Sequence, residues 1–228
     1  MSKKTALVVG ADKGIAWNIA KQLADRGDAV YAAIMGETTD FAGSPVNIVP
    51  NVDVTSADAV RGMVKALQSK IDKLDVLYHV AGVMTLDQLG QIDYDKLMWE
   101  FQINTVGPLR TVEASLPLLR EGSKVGIVTS RVGSLGDNSS GGQYSYRLSK
   151  CAANMVGLNL HHDLKKRGIA VRMLHPGMVK TDLVKNYPGD FAYITPATAA
   201  AGLIARMDEL TLETAGDFRH ANGQQLIW

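Results

Sequence analysis

The sequence is poor in several features that would settle a function early. It has one cysteine, Cys151, among 228 residues, so no intrachain disulfide can form and a reducing compartment is expected. It has almost no charge imbalance: the net charge is +1, which leaves no basic field to hold nucleic acid or an anionic membrane. No stretch reaches the about 18 consecutive apolar residues of a transmembrane helix. Lys3 and Lys4 precede an apolar run at the start, but Gly10 and Asp12 interrupt it after Ala6–Val9, too soon for a signal peptide. Internal repeats, low-complexity tracts and linkers are also missing. A cytoplasmic, soluble protein with neither a nucleic-acid nor a membrane partner is the expectation.

What is present is a repeating alternation. Thr5–Gly10, TALVVG, is a short Val-rich run ending in glycine, the pattern of a strand buried on both faces. After Gly14, residues Ile15, Ile19 and Leu23 recur every fourth position with alanines beside them, which marks a helix that Gly27 is placed to end. Further strands are read at Ala29–Ile34, Val46–Val49, Leu74–Gly82, Lys124–Ser130 and Ile169–Gly177. Between them, helices are marked by Val60, Val64 and Leu67, by a long pattern from Asp95 to Leu119, by Val156, Leu160 and Leu164, and by Ala197–Met207. Strands alternating with helices imply a parallel sheet covered on both faces, because right-handed crossovers put the helices there. One doubly wound α/β domain over residues 1–228 follows. Such sheets bind ligands beyond the carboxyl ends of their strands.

Two stretches carry chemistry, one at such a strand end and one in a helix. In GADKGIA, glycines at 10 and 14 permit a tight turn and let a pyrophosphate approach a helix N-terminus, although the same pair also serves a purely structural turn. In QYSYRLSK, Tyr146 and Lys150 are four apart, roughly 40° from each other around a helix, and share a face; Tyr144, six before the lysine, points away. A free phenol titrates near 10, and an ammonium beside it favours the phenolate, so this pair can form an acid/base group.

The ordered set of GADKGIA, NVDVT, HVAG, NTVG, VTSRVGS, YRLSK and HPGMVKTD resembles the short-chain dehydrogenase/reductase family over nearly the whole chain. The DNSSGGQYSYRLSK segment and the closing NGQQLIW resemble its C-factor-like and sniffer-like carbonyl-reductase branch. The resemblance implies a Rossmann fold with about seven strands and a tetrad of Asn104, Ser130, Tyr146 and Lys150. Tyr146 would protonate a carbonyl oxygen during hydride transfer, Ser130 would hydrogen-bond that oxygen, Lys150 would hold the nicotinamide ribose and depress the Tyr146 pKa, and Asn104 would position a relay water. It further implies cofactor contacts from Gly10, Asp12, Lys13, Gly14, Ile15, Asp53, Val54, Ala81, Gly82, Tyr146, Lys150, Pro176, Gly177 and Val179, with no metal. Ser130 is preferred to Ser134 because it ends a strand, and Ser139 and Ser140 read as turn residues. Cys151 reads as a small buried hydrophobe.

Two departures stand out. His79-Val80 replaces a pair of asparagines, and His79 reads as a hydrogen-bonded core residue; Ala16 replaces a glycine. The second strand ends in AAIMG with no carboxylate before Glu37, and Lys13 resembles a 2′-phosphate contact, so NADP(H) is favoured over NAD(H). Asp53 would meet the adenine region or, alternatively, serve as a turn carboxylate. A small carbonyl or alcohol is the expected substrate, under a short lid at Leu183–Ile194. A homodimer or homotetramer is implied by the resemblance. A cofactor-binding sensor on the same fold is the alternative function, which the Tyr–Lys pair disfavours.

Overall fold

The computed structural model describes residues 3–41 and 43–228. Seven strands form one parallel sheet: β1 (Thr5–Val9), β2 (Ala29–Ala33), β3 (Val46–Val49), β4 (Leu74–His79), β5 (Leu119–Val128), β6 (Ala170–His175) and β7 (Phe218–His220). Their spatial order is β3-β2-β1-β4-β5-β6-β7. Leu7 pairs with Tyr31 on one side and Leu77 on the other, so β1 is central. The chain crosses from β3 back to β4 beside β1, which makes the β1/β4 boundary the switch point where a crevice opens.

The helices are α1 (Gly14–Asp25), α2 (Ala57–Gln68), α3 (Tyr94–Phe101), α4 (Gly107–Ser115), α5 (Tyr144–Lys165) and α6 (Pro196–Asp208). Successive side chains of a strand point to opposite faces, and β1 shows the consequence. Ala6 and Val8 join a core with Ile19 and Leu23 of α1 and Leu203 and Met207 of α6. Leu7 and Val9 join the other core, with Val60 and Val64 of α2, Val112 of α4 and Leu164 of α5. An uninterrupted apolar strand therefore feeds two cores at once, which is what its sequence demanded.

Three readings need correction. The helix expected over Asp95–Leu119 is broken: α3 passes through a π-helical turn, Gln102–Val106, into α4, which stops at Ser115. Pro108 lacks an N–H and sits within the first two positions of α4, where that donor is not needed. The strand expected from Lys124 begins at Leu119, and its first residues, Leu119-Arg-Glu-Gly-Ser, carry no apolar pattern to reveal it. β7 is only three residues long, two of them Arg219 and His220, and escaped the reading for that reason.

The proposed lid is tied at its base. Lys180 N–H donates to the Ile194 carbonyl at 3.0 Å, and Ile194 N–H to Met178 at 2.9 Å. Along it the rings of Tyr187, Phe191 and Tyr193 contact one another in sequence. Among the described residues, no helix is long and apolar enough to cross a membrane.

Candidate active site

At the switch point the turns after β1 and β4 touch. Gly10 has φ +85°, and a side-chain carbon there would fall 2.7 Å from the Ala81 backbone. Only glycine permits this approach. The N–H groups of Val80 and Ala81 both donate to the Val9 carbonyl, at 3.0 and 3.1 Å, which fixes the second turn against the first. Helix α1 then starts at Gly14 with no side-chain cap and no acidic residue in its first turn. Helices α4 and α5 also lack such a cap, whereas α2, α3 and α6 are capped by Ser56, Asp93 and Thr195. Free amides at a helix start, reached through a backbone-walled crevice, suit the pyrophosphate of a dinucleotide. The residues present fit such a cofactor.

The second part of the site stands beside it. Ser130 follows β5 and its hydroxyl accepts from Val132 N–H at 3.4 Å. Tyr146 and Lys150 lie on one face of α5, both buried, with the ammonium 5.7 Å from the centre of the phenol ring. Lys150 Nζ donates to the Val128 carbonyl at 3.3 Å. Asn104, in the π turn, is held on three sides: its Nδ2 donates to the Val83 carbonyl (2.8 Å), Ser149 Oγ (3.0 Å) and Glu100 Oε1 (3.3 Å), and its Oδ1 accepts from Val83 N–H (2.9 Å). Gly82 leaves room for both: a side-chain carbon there would lie 3.1 Å from Asn104 Oδ1 and 3.2 Å from Lys150 Nζ. The four residues are thus brought together from α5, β5 and the π turn.

Burial sets the electrostatics. The Tyr146 phenol is pushed up from its ordinary value by desolvation, which outweighs the pull of a hydrogen bond with Ser130. Lys150 is pushed down to about 8 by the same cause, and Glu100 partly opposes it. The depression of the phenol by the ammonium, implied by the resemblance, does not appear; taking both groups out of water is the larger effect. Tyr146 is therefore protonated at neutrality.

Glu100 was not foreseen. It is a fully buried carboxyl, pushed up by burial, and accepts from Thr85 N–H at 2.7 Å. Nothing in a string such as LMWEF distinguishes a buried glutamate from a solvated one. Ser149, bonded to Asn104 and to the Tyr146 carbonyl at 2.9 Å, was missed for the same reason.

Ile15, Ser130, Tyr146, Pro176, Gly177 and Val179 share the wall of one cavity of about 620 Å³, a size ordinary for a small-molecule site. Asn104 and Lys150 are buried and do not line it. Gly10, Asp12, Lys13, Gly14, Asp53, Val54, Ala81 and Gly82 are at the strand ends beyond it. Asp53 is occupied with its own turn, accepting from Thr55 N–H and Oγ1 at 2.8 Å each. Lys13 forms an ion pair with Asp182. Asp12 reaches across to β2, accepting from Met35 N–H and Gly36 N–H at 3.0 Å each.

Four secondary readings resolve. Ser134 caps its own turn by accepting from Asp137 N–H at 3.1 Å and is absent from the cavity wall. Ser140, read as a turn residue, lines the cavity and accepts from Arg147 Nη2 at 2.9 Å. His79 is buried as expected, but neither ring nitrogen has a hydrogen-bond partner, and burial drives it down to about 3. Cys151 is half-buried rather than buried.

Comparison with known proteins places this geometry. The model of a family described as "short chain dehydrogenase" matches residues 4–190. The chain is 59% identical over 224 residues to 1-hydroxy-2-glutathionyl-2-methyl-3-butene dehydrogenase of Rhodococcus sp. (strain AD45), covering 98% of this chain and 99% of that one. It is 40% identical to C-signal of Myxococcus xanthus over 68% of this chain and 93% of that protein. Among solved structures, NADPH-bound carbonyl reductase from chicken fatty liver superposes with a TM-score of 0.90 at 23% identity, and carbonyl reductase Sniffer of D. melanogaster with 0.87 at 24%, each over the full length of both chains. At these identities the two structures speak for the fold.

Proposed function

Because the chain belongs to the short-chain dehydrogenase family and is an oxidoreductase of that family, we propose that it interconverts an alcohol and its carbonyl compound at the cavity bounded by Ser130 and Tyr146. The observation that carries this is the convergence of Asn104, Ser130, Tyr146 and Lys150 beside a crevice built for a dinucleotide. When bound, the nicotinamide supplies or takes the hydride. Tyr146, kept protonated by burial, donates its proton to the substrate oxygen in reduction; in oxidation its own proton first leaves towards solvent, and the phenolate then takes the proton of the substrate hydroxyl. Ser130 hydrogen-bonds that oxygen and stabilises its developing charge. Lys150 would hold the ribose hydroxyls, and Asn104 would position a water on the route by which the proton returns.

The relative from Rhodococcus carries a substrate name, a hydroxylated glutathione thioether, and we extend that class to this chain. The test is oxidation of a thioether alcohol panel with wild type and Tyr146→Phe. Turnover in the wild type and its loss in the variant, with cofactor binding retained, supports the assignment; undiminished turnover in Tyr146→Phe overturns it.

For the cofactor, Lys13 supports NADP(H), once its ammonium exchanges Asp182 for a 2′-phosphate. A specific observation favours a second reading, NAD(H). The carboxylate missing from the end of β2 is supplied there by Asp12, in contact with the Met35 and Gly36 amides, where it suits a ribose hydroxyl and repels a phosphate. Comparing kcat/KM for the two cofactors decides between them.

The exposed apolar side chains of α3 and α5, Tyr94, Met98, Trp99, Leu148 and Met155, support assembly into a homodimer or homotetramer through those helices. Light scattering on the purified protein gives the stoichiometry. The single cysteine supports a cytoplasmic location.

A further inference from the structure

The cavity wall carries an uneven set of charges. Two guanidinium groups, Arg131 and Arg147, line it together with one carboxylate, Asp137. Asp137 is already engaged: Arg131 Nε donates to it, and this hydrogen bond holds its carboxyl below the usual range. The two histidines on the wall, His175 and His220, are both pushed down by burial, His175 to about 3, and add no charge at neutral pH. One positive charge is left over, and of the two guanidinium groups it is Arg147 that attracts Asp137 without a hydrogen bond to it.

Arg147 is also held still and incompletely used. Its Nη1 donates to the Val132 carbonyl at 3.2 Å and its Nη2 to Ser140 Oγ at 2.9 Å. A guanidinium has five N–H donors, so these two bonds leave three. One of them, on Nε, is buried with no partner, so the two left for a ligand are on Nη1 and Nη2. A buried donor without an acceptor is costly, and a planar fork with several donors unspent matches a carboxylate. Arg147 and Tyr146 line the same cavity, so an anion bound by the one shares that space with the oxygen reacting at the other.

We propose that Arg147 is the residue that selects substrates bearing a carboxylate, docking that group while the alcohol or carbonyl end faces Ser130 and Tyr146. The proposal rests on the dehydrogenase reading of this cavity and deepens it. It turns the substrate class into a physical requirement: a thioether alcohol is favoured when it carries a peptide-like carboxylate and loses its advantage when that charge is masked. Ser140 and the Val132 carbonyl act as positioning groups that keep the guanidinium aimed.

The experiment uses S-(2-hydroxyethyl)glutathione and the same conjugate as its diester, oxidised by the whole protein with NAD⁺ and with NADP⁺. The wild type is expected to favour the acid by at least about tenfold in kcat/KM, of the size given by one charge-assisted hydrogen-bonded pair. In Arg147→Met the acid loses that factor through KM while the diester changes far less, and the preference falls towards one; Arg147→Lys restores part of it. Diester turnover in Arg147→Met reports that the variant is folded. Equal use of acid and diester by the wild type, or a preference that survives Arg147→Met, overturns the proposal. So does acceptance of neither conjugate by a protein that turns over other alcohols or carbonyls. Turnover of no alcohol or carbonyl with either cofactor would instead defeat the dehydrogenase reading beneath it.

Discussion

Replacing Lys150 by methionine should stabilise the protein while abolishing its activity. The ammonium is almost wholly buried, and its pKa falls from a lysine's ordinary 10.5 to about 8. At ~1.36 kcal/mol per tenfold change in proton affinity, holding that charge in the fold at neutral pH costs about 3 kcal/mol. Methionine is of similar length and carries no charge. Two losses offset the gain: the hydrogen bond to the Val128 carbonyl at 3.3 Å, and the attraction that helps keep the buried Glu100 carboxylate ionised. With about 1 kcal/mol assigned to these together, a net stabilisation on the order of 2 kcal/mol remains. For a chain of this size that raises Tm by roughly 4–8 °C.

The pH dependence gives an independent check. A lysine whose folded pKa is depressed contributes full stability only above its unfolded pKa, and that contribution is lost as pH falls from 10.5 to about 8. The wild type should therefore close the gap to Lys150→Met as pH is raised through that window. Paired thermal melts at pH 7 and pH 10, with an oxidation assay on the same preparations, measure both effects. A variant no more stable than the wild type at pH 7 would show that the lysine is not under the desolvation strain inferred here.

Other outcomes follow from the same geometry. Asp12→Asn removes the carboxylate at the end of β2, and should raise the NADP(H)-to-NAD(H) ratio of kcat/KM by at least about tenfold; an unchanged ratio would place the ribose elsewhere. Gly10→Ala combines a left-handed φ with a 2.7 Å clash against the Ala81 backbone. It should cost about 2–5 kcal/mol in urea melts and weaken cofactor binding; a variant with wild-type stability would refute the contact. His79 and His175 are neutral in the fold with pKa values of about 3, so stability is full above pH 6.5 and is lost as pH falls towards 3. Each should contribute about 1.4 kcal/mol per pH unit in that window. His79→Gln should remove one such contribution from the pH slope, and an identical slope would mean that this histidine titrates freely in the fold.

The sheet, its switch point and the four residues around the acid were readable because they rest on local rules. Val-rich runs ending in glycine gave the strands, and a four-residue spacing singled out Tyr146 over Tyr144. The π turn was not readable, since its apolar pattern is continuous with the helices it separates. Glu100 and Ser149 were invisible because burial of a polar side chain depends on the packing of α3 against α5, which no one segment encodes. Lys13 and Asp12 illustrate the same limit. The sequence identified the basic residue and noted the missing carboxylate at the end of β2, but only the folded turn shows an aspartate from 23 residues earlier reaching over to Met35. Arg147 lies inside the same motif as Tyr146 and Lys150, but its meaning depends on which charges across the cavity are already paired.

The contact between Gly10 and Ala81 also bears on how such a protein can change over generations. Where two turns meet backbone to backbone, there is no side chain to exchange, and almost any substitution at Gly10 forces the turns apart. Variation that leaves the crevice usable is easier at its rim, where side chains rather than backbone make the contacts: Asp12 and Lys13 at one end, Arg147, Tyr187 and Phe191 at the other. Descendants of this fold are free to acquire new substrates by redrafting those few positions, while the floor beneath them is inherited intact.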